Sequence, residues 1–174
     1  AGVNSVHVRN FPPASLAQPG PRPESFGYDI LVGGSLPDDQ IPLLAATAAE
    51  LEARGLTDLR WLVVARNYGD REQTMLEKEL DSRGVRDRFE LRYNLPFPEM
   101  QGVMRASRIA FLLYPGDINY AARIPIRIFE YMAAGVPFVG PDLPTTAQFV
   151  KGLGVADLAP AGDPQRNLLQ RLRG

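Results

Sequence analysis

A single carboxylate interrupts the largely apolar stretch IPIRIFEYMAAGVPFVG at residues 124–140. Glu130 stands in its middle, and a buried carboxylate is costly unless it has a partner or a ligand. Arg123 and Arg127 precede it, so positive charge gathers at the start of the helix that this stretch predicts. The backbone N–H groups of the first turn, from about residue 126 to 128, would form an anion-binding site there.

Spacing alone leaves two interpretations of Glu130 open. If the phosphates of a nucleotide bind at the helix start, a carboxylate one turn later can reach the ribose. It would then accept hydrogen bonds from both ribose hydroxyls. In the other interpretation Glu130 forms a salt bridge with Arg127 or another arginine. The arginines themselves either bind the anion or are simply solvated.

A second candidate is the glycine pair that ends the apolar run YDILVGG at residues 28–34. Gly33 and Gly34 expose bare backbone that a phosphate could approach. Residues 33–38 read GGSLPD, which is not the G-x-G-x-x-G dinucleotide signature. Two glycines at a strand end are also typical of an ordinary tight turn.

Composition excludes several kinds of chemistry. The 174 residues carry a net charge of −1 and no basic stripe, which gives no support for nucleic-acid binding. Cysteine is absent, and the one histidine, His7, lies in the strand-like run SVHVRNF. A histidine triad or a zinc site is therefore not expected. No apolar run approaches the ~20 residues that span a bilayer, and no signal peptide is evident, so we expect a cytoplasmic chain.

The pattern of apolar residues and breakers predicts alternating strands and helices after a proline-rich linker at residues 10–26. Strands are expected at 28–34, 59–66, 88–93, 109–115 and 136–140, with a weak one near 155–158. Helices are expected at 38–54, 71–84, 96–107, 125–135 and from Asp163 onward. Such alternation predicts an α/β fold with a doubly wound, mainly parallel sheet.

In such sheets, ligands bind beyond the carboxyl ends of the strands. The candidate loops are therefore 33–37, 66–70, 93–96, 115–125 and 140–146. The chain also begins inside a strand-like run and ends on an unfinished helix, which indicates part of a longer protein.

The stretch IPIRIFEYMAAGVPFVGPDLP closely resembles the donor-site helix of GT-B glycosyltransferases, the large retaining family that includes sucrose and glycogen synthases. Their pattern is P-x-K-[LI]-[LF]-E-[AY]-M-A-[AC]-G-x-P-V-[VI], followed by a short strand and an acidic residue. The matching residues are Pro125, Ile128, Phe129, Glu130, Met132, Ala133, Gly135, Pro137 and Asp142. YDILVGGSLPDDQ, RWLVVARNYGD and GLGVADLAPAGDPQ resemble other parts of the family's C-terminal domain. HVRNFPP resembles the crossing from the N-terminal domain.

The resemblance implies a Rossmann-like GT-B half domain and a role for each site residue. Glu130 would hold the ribose of a nucleoside diphosphate sugar. Backbone and basic groups would face the diphosphate, and the loop after the third strand would cup the nucleobase. The implied donor-site residues are Gly33, Gly34, Asn94, Leu95, Arg123, Ile126, Arg127 and Glu130. The family needs no metal or other cofactor for this, and no catalytic residue is assigned.

Four positions depart from the family pattern. The first glutamate of its Glu-x7-Glu pair would fall at Ala122. The arginine and lysine that contact the diphosphate correspond to Ser35 and Gln40, and a further glutamate corresponds to Gln148. Hydrogen bonds to charged groups are each worth about 1.5–3 kcal/mol, so losing two would weaken diphosphate binding about a hundredfold or more. Arg66, Arg123 or Arg127 could substitute.

We therefore expect residues 1–26 to form the interdomain crossing and linker, and residues 27–174 the C-terminal donor-binding domain of a retaining glycosyltransferase. It would transfer a sugar to a saccharide or lipid-linked acceptor. Its partner would be the N-terminal acceptor-binding domain of the same enzyme, without which it would be inactive. The full-length enzyme could lie peripherally on a membrane.

Two other functions were weighed against this one. The first is a catalytically silent domain that serves as a binding or scaffolding module in polysaccharide assembly. The second is a flavodoxin-like receiver domain, which would need an acidic cluster directly after the first strand. Asp38 and Asp39 come too late for that cluster.

Overall fold

The computed structural model describes residues 23–66, 68–114, 121–160 and 165–173. Six parallel strands form one sheet in the order β3-β2-β1-β4-β5-β6. The strands are β1 Tyr28–Gly34, β2 Trp61–Ala65, β3 Phe89–Tyr93, β4 Ser107–Phe111, β5 Phe138–Pro141 and β6 Ala156–Ala159. The α-helices are α1 Ile41–Ala53, α2 Asp70–Ser82, α3 Phe97–Arg105, α4 Ile126–Ala133, α5 Pro144–Val150 and α6 Gln165–Arg173. The doubly wound α/β prediction is confirmed.

Helices cover both faces of the sheet, which explains why the central strands are apolar on both sides. All five residues of β2 are buried. One apolar cluster lies between the sheet and α1, α2 and α6, with Leu44, Leu76 and Leu168 among its members. A second cluster lies on the opposite face, beneath α3, α4 and α5. A parallel sheet covered in this way reads as continuous apolar runs rather than as alternation.

The strand order reverses beside β1. The chain passes from β1 to β2 on one side and later inserts β4 on the other side of β1. The segments that leave β1 and β4 therefore diverge and open a crevice at the carboxyl edge of the sheet. Ligands of open α/β sheets bind at such a crevice. The helix that follows β4 along the described chain, α4, begins at this edge.

Most predicted elements are observed with boundaries shifted by a few residues, but one helix was not predicted. α5 spans only the seven residues PTTAQFV. β3 does not alternate, because it is an edge strand in which only Phe89 is buried.

Some expectations lie outside the described residues. They concern His7, the crossing and most of the linker, residues 115–120 of one candidate loop, and Asp163. Within the described ranges, no helix is both long enough and apolar enough to cross a membrane.

Candidate functional site

The start of α4 is shaped by proline. Pro125 is the N-cap, with φ −60° and ψ 135°, and no side chain caps the helix. The N–H groups of Ile126 and Arg127 belong to the first turn and have no acceptor within the helix. The N–H of Ile128 donates to the Pro125 carbonyl at 3.0 Å, so the prediction that it would be free is wrong. The helix ends before Gly135, which has φ 69°.

Arg127 and Glu130 form a close ion pair on α4. Nη1 of Arg127 lies 2.6 Å from Oε2 of Glu130, and the two side chains are only 8% and 11% exposed. No N–H within the described structure is directed at that oxygen, so the contact is ionic without a hydrogen bond. Glu130 is therefore not an isolated charge, and the salt bridge left open by the sequence is present. The interpretation of Arg127 as a solvated side chain is wrong, whereas Arg123 is exposed.

The glycine pair provides the surface on which Arg127 lies. Gly33 and Gly34 are the last residues of β1 rather than a turn after it. Gly34 has φ 115°, and a Cβ there would lie 3.0 Å from Nη2 of Arg127. A Cβ on Gly33 would lie 2.7 Å from Cε of Met100. Bare backbone at the end of β1 is thus what allows the guanidinium to approach the sheet.

Tyr131 closes the site from below. Its side chain is fully buried, and its hydroxyl would lie 3.3 Å from a Cβ on Gly33. Burial raises the pKa of Tyr131 above its ordinary value, an effect that the positive charge of Arg127 opposes. The phenol therefore stays neutral beside the ion pair. Sequence analysis did not single out Tyr131, because a tyrosine at helical spacing is ordinarily a core residue.

A second group of contacts ties together the loops after β1, β2 and β3. Asn94 has φ 53°, and its Nδ2 donates to the Tyr68 carbonyl at 3.1 Å. The hydroxyl of Tyr68 donates to the carbonyl of Leu36, and its ring stacks on Tyr93 with centroids 6.0 Å apart. Burial raises the pKa of Tyr68, which keeps this donor protonated. No motif in the sequence pointed to Tyr68.

Asn94 and Leu95 share the carboxyl edge of the sheet with the ion pair. They follow β3, which lies two strands away from β1 and so about 10 Å from it. Leu95 is half-buried against the apolar cluster beneath α3 and α4. The structure thus places all the predicted site residues at one edge, with Arg127, Glu130 and the two glycines in one group.

Comparison with known families assigns the chain. The family described as Glycosyl transferases group 1 matches residues 27–172. The chain belongs to this family. A comparison with curated proteins found no match.

Solved structures with the same fold include several glycosyl transferases. A mutant O-GlcNAc transferase of Thermobaculum terrenum is 18% identical, with a TM-score of 0.63, over 94% of this chain and 33% of that one. TarM of S. aureus, solved in complex with fondaparinux, α-GlcNAc-glycerol and UDP, is 14% identical, with a TM-score of 0.64, over 90% and 31%. The C-terminal domain of LpcC, a group 1 glycosyl transferase of Francisella tularensis, is 13% identical, with a TM-score of 0.57, over 86% and 75%.

These identities establish likeness of fold. The chain spans about a third of the length of the first two of these proteins, and most of the separately crystallised LpcC domain.

Three positions where this group 1 glycosyl transferase departs from the family pattern are uncharged and differ in accessibility. Ser35 and Ala122 are exposed, whereas Gln40 is buried at 4% exposure. None of them supplies a cation to the site. Among the described residues, no three acidic or histidine side chains converge in a way that could hold a metal ion. The buried cation at this edge is Arg127.

Proposed function

We propose that this chain is the donor-binding domain of a retaining group 1 glycosyl transferase and that it binds a nucleoside diphosphate sugar. The observation that carries the proposal is the meeting of Glu130, Arg127 and the Gly33–Gly34 backbone at the crevice between β1 and β4. A carboxylate and a guanidinium side by side provide acceptors for ribose hydroxyls and donors for phosphate oxygens.

The domain's contribution to catalysis would be positioning and electrostatic stabilisation. The N–H groups of Ile126 and Arg127 point out of the helix start, where the helix dipole also favours a negative charge. As the glycosidic bond to the diphosphate breaks, negative charge grows on the leaving phosphate. Donors that are already in place stabilise that charge without reorganisation. Asn94 and Leu95 would border the nucleobase.

The remaining parts of the reaction would come from another domain. A saccharide or lipid-linked acceptor would bind to the N-terminal half of the full-length enzyme, and the sugar would be transferred with retained configuration. The neighbours that the chain covers to about a third of their length support such a larger protein. We propose that the domain alone binds the donor and does not transfer the sugar.

The second candidate function is a silent binding module with the same fold. The uncharged residues at positions 35, 40 and 122 favour it, because the family's basic and acidic groups are missing there. It predicts that the crevice holds no nucleotide. The two candidates therefore differ in one measurable property.

The test is the thermal stability of the chain against uridine, guanosine, adenosine and thymidine diphosphates and their sugars. A ligand at 100 times its dissociation constant stabilises by about 2.7 kcal/mol, which shifts the melting midpoint measurably. We expect a shift with one base, lost in Glu130→Gln and retained in Glu50→Gln, a matched change on the exposed surface of α1. No shift with any nucleotide at millimolar concentration would favour the silent module.

A further inference from the structure

Arg127 is held in an unusual position for an arginine. The residue is only 7% exposed, and its guanidinium lies against the backbone at the end of β1, with Nη2 3.0 Å and Nε 3.3 Å from where a Cβ of Gly34 would be. Within the described residues its one ion-pair partner is Glu130. A guanidinium offers five N–H donors in a fork that matches phosphate oxygens, and a single contact with Glu130 leaves most of them available.

This cation lies beside positions at which the family pattern has basic residues and this chain does not. Ser35 follows Gly34 directly, and Gln40 is buried at the entrance to α1. Arg127 approaches the same end of β1 from α4, on the other side of the crevice. Its charge is therefore directed to the place that those two positions leave uncharged.

We infer that the Arg127 side chain is the diphosphate-binding cation of this domain, and that the nucleotide binds by separating Arg127 from Glu130. This inference rests on the proposed function. The ribose hydroxyls take the Glu130 carboxylate while the phosphate oxygens take the Arg127 guanidinium. Each half of the ion pair exchanges one charged partner for another.

Separation of the pair makes the two halves of the ligand cooperative. A nucleoside alone engages Glu130 and leaves a largely buried guanidinium without its partner. Pyrophosphate alone engages Arg127 and leaves a largely buried carboxylate. An unpaired buried charge is costly, so each fragment binds against that cost. When one fragment is bound, the other no longer has to break the pair, and its affinity rises. Coupling of this kind is reciprocal.

The first test uses the unmodified 174-residue chain and titration calorimetry. The nucleoside diphosphate that gives a thermal shift is split into its nucleoside and pyrophosphate. We expect saturating nucleoside to tighten pyrophosphate binding at least tenfold. Unchanged or weaker pyrophosphate binding overturns the inference, whether or not any variant folds.

The second test uses Arg127→Met, with Arg54→Met as the matched control for loss of an exposed arginine from an ion pair. Each charged hydrogen bond contributes the equivalent of about 10- to 150-fold in affinity, so Arg127→Met should weaken diphosphate binding by at least that range. Nucleoside binding should be unchanged or tighter, because Glu130 has lost its competing partner. Arg54→Met should change neither.

The possible failures are distinguishable. If Arg127→Met binds the diphosphate within threefold of the wild type, or loses nucleoside binding equally, the inference falls and the proposed function stands. If no nucleoside diphosphate binds the wild-type chain at millimolar concentration, both fall.

Discussion

Removing the Glu130 carboxylate should destabilise the fold, because it leaves Arg127 charged and largely shielded from water. Arginine does not deprotonate in proteins, so it cannot escape by neutralising. Breaking a buried pair by removing one partner costs 3–5 kcal/mol in general. The side chains here retain 8% and 11% exposure. We therefore expect Glu130→Ala to cost about 3 kcal/mol, the low end of that range. For a domain of this size that is a drop of about 6–12 °C in melting midpoint.

The chain contains a matched control for this experiment. Arg54 Nη2 and Glu50 Oε1 are also 2.6 Å apart, but their side chains are 48% and 42% exposed. An exposed helical pair of this kind contributes about 0.3–0.5 kcal/mol. Glu50→Ala should therefore lower the free energy of unfolding by no more than about 0.5 kcal/mol. The two pairs share charge type and distance and differ in burial.

Urea unfolding followed by the fluorescence of Trp61 would measure both effects. Trp61 is the one tryptophan of the sequence, is buried, and stacks on Phe89 with ring centroids 5.1 Å apart. The double variant Arg127→Ala/Glu130→Ala should be more stable than the sum of the two single losses predicts, with a coupling of about 1 kcal/mol or more. If Glu130→Ala costs no more than Glu50→Ala, the pair is effectively solvated and the reasoning is wrong.

Two further predictions concern the backbone near the site and the response to acid. Gly34→Ala should destabilise by about 1–3 kcal/mol in urea unfolding, because Gly34 has φ 115° and faces Arg127, whereas Gly102→Ala in α3, where no atom lies within 4 Å, should stabilise by about 0.5–1 kcal/mol. Shifts of the same sign would contradict this account. Hydrogen bonds from the backbone N–H groups of Glu72 and Gly69 hold the pKa of Glu72 below its ordinary value. Its stabilising effect is thus present above the unfolded pKa of about 4.3 and lost as the pH falls through the folded pKa. The difference in melting midpoint between the wild type and Glu72→Gln should be clear at about pH 7 and shrink toward about pH 3; a difference independent of pH would count against the assignment.

The fold could be predicted from the sequence because its signals are local. Continuous apolar runs marked the strands, and proline and glycine marked both ends of α4. α5 was missed because its sequence, PTTAQFV, begins with proline and two β-branched residues and has little helix propensity of its own. It is stabilised by packing, since Val150 is buried and Phe149 contacts Phe129 of α4 with ring centroids 5.1 Å apart. Such contacts join segments that no local pattern connects.

The residues of the site were predictable, but their arrangement was not. Spacing left Arg127 equally compatible with solvent and with an anion. Its burial depends on Gly34, on a different strand, which lacks the Cβ that would meet the guanidinium. Likewise, nothing local indicated that the amide of Asn94 would bind the backbone of Tyr68.

The arrangement changes what a mutation of Glu130 can reveal. From the sequence, Glu130→Ala is expected to abolish nucleotide binding and leave the fold intact, because the charge is treated as isolated. In the structure the same carboxylate holds Arg127, so that variant changes stability and ligand contact together. Glu130→Gln keeps the shape and an acceptor oxygen while removing the charge. If the domain binds a nucleotide, Glu130→Gln should lose affinity at temperatures where the protein is fully folded. A ribose-binding role is thereby separated from a purely structural one.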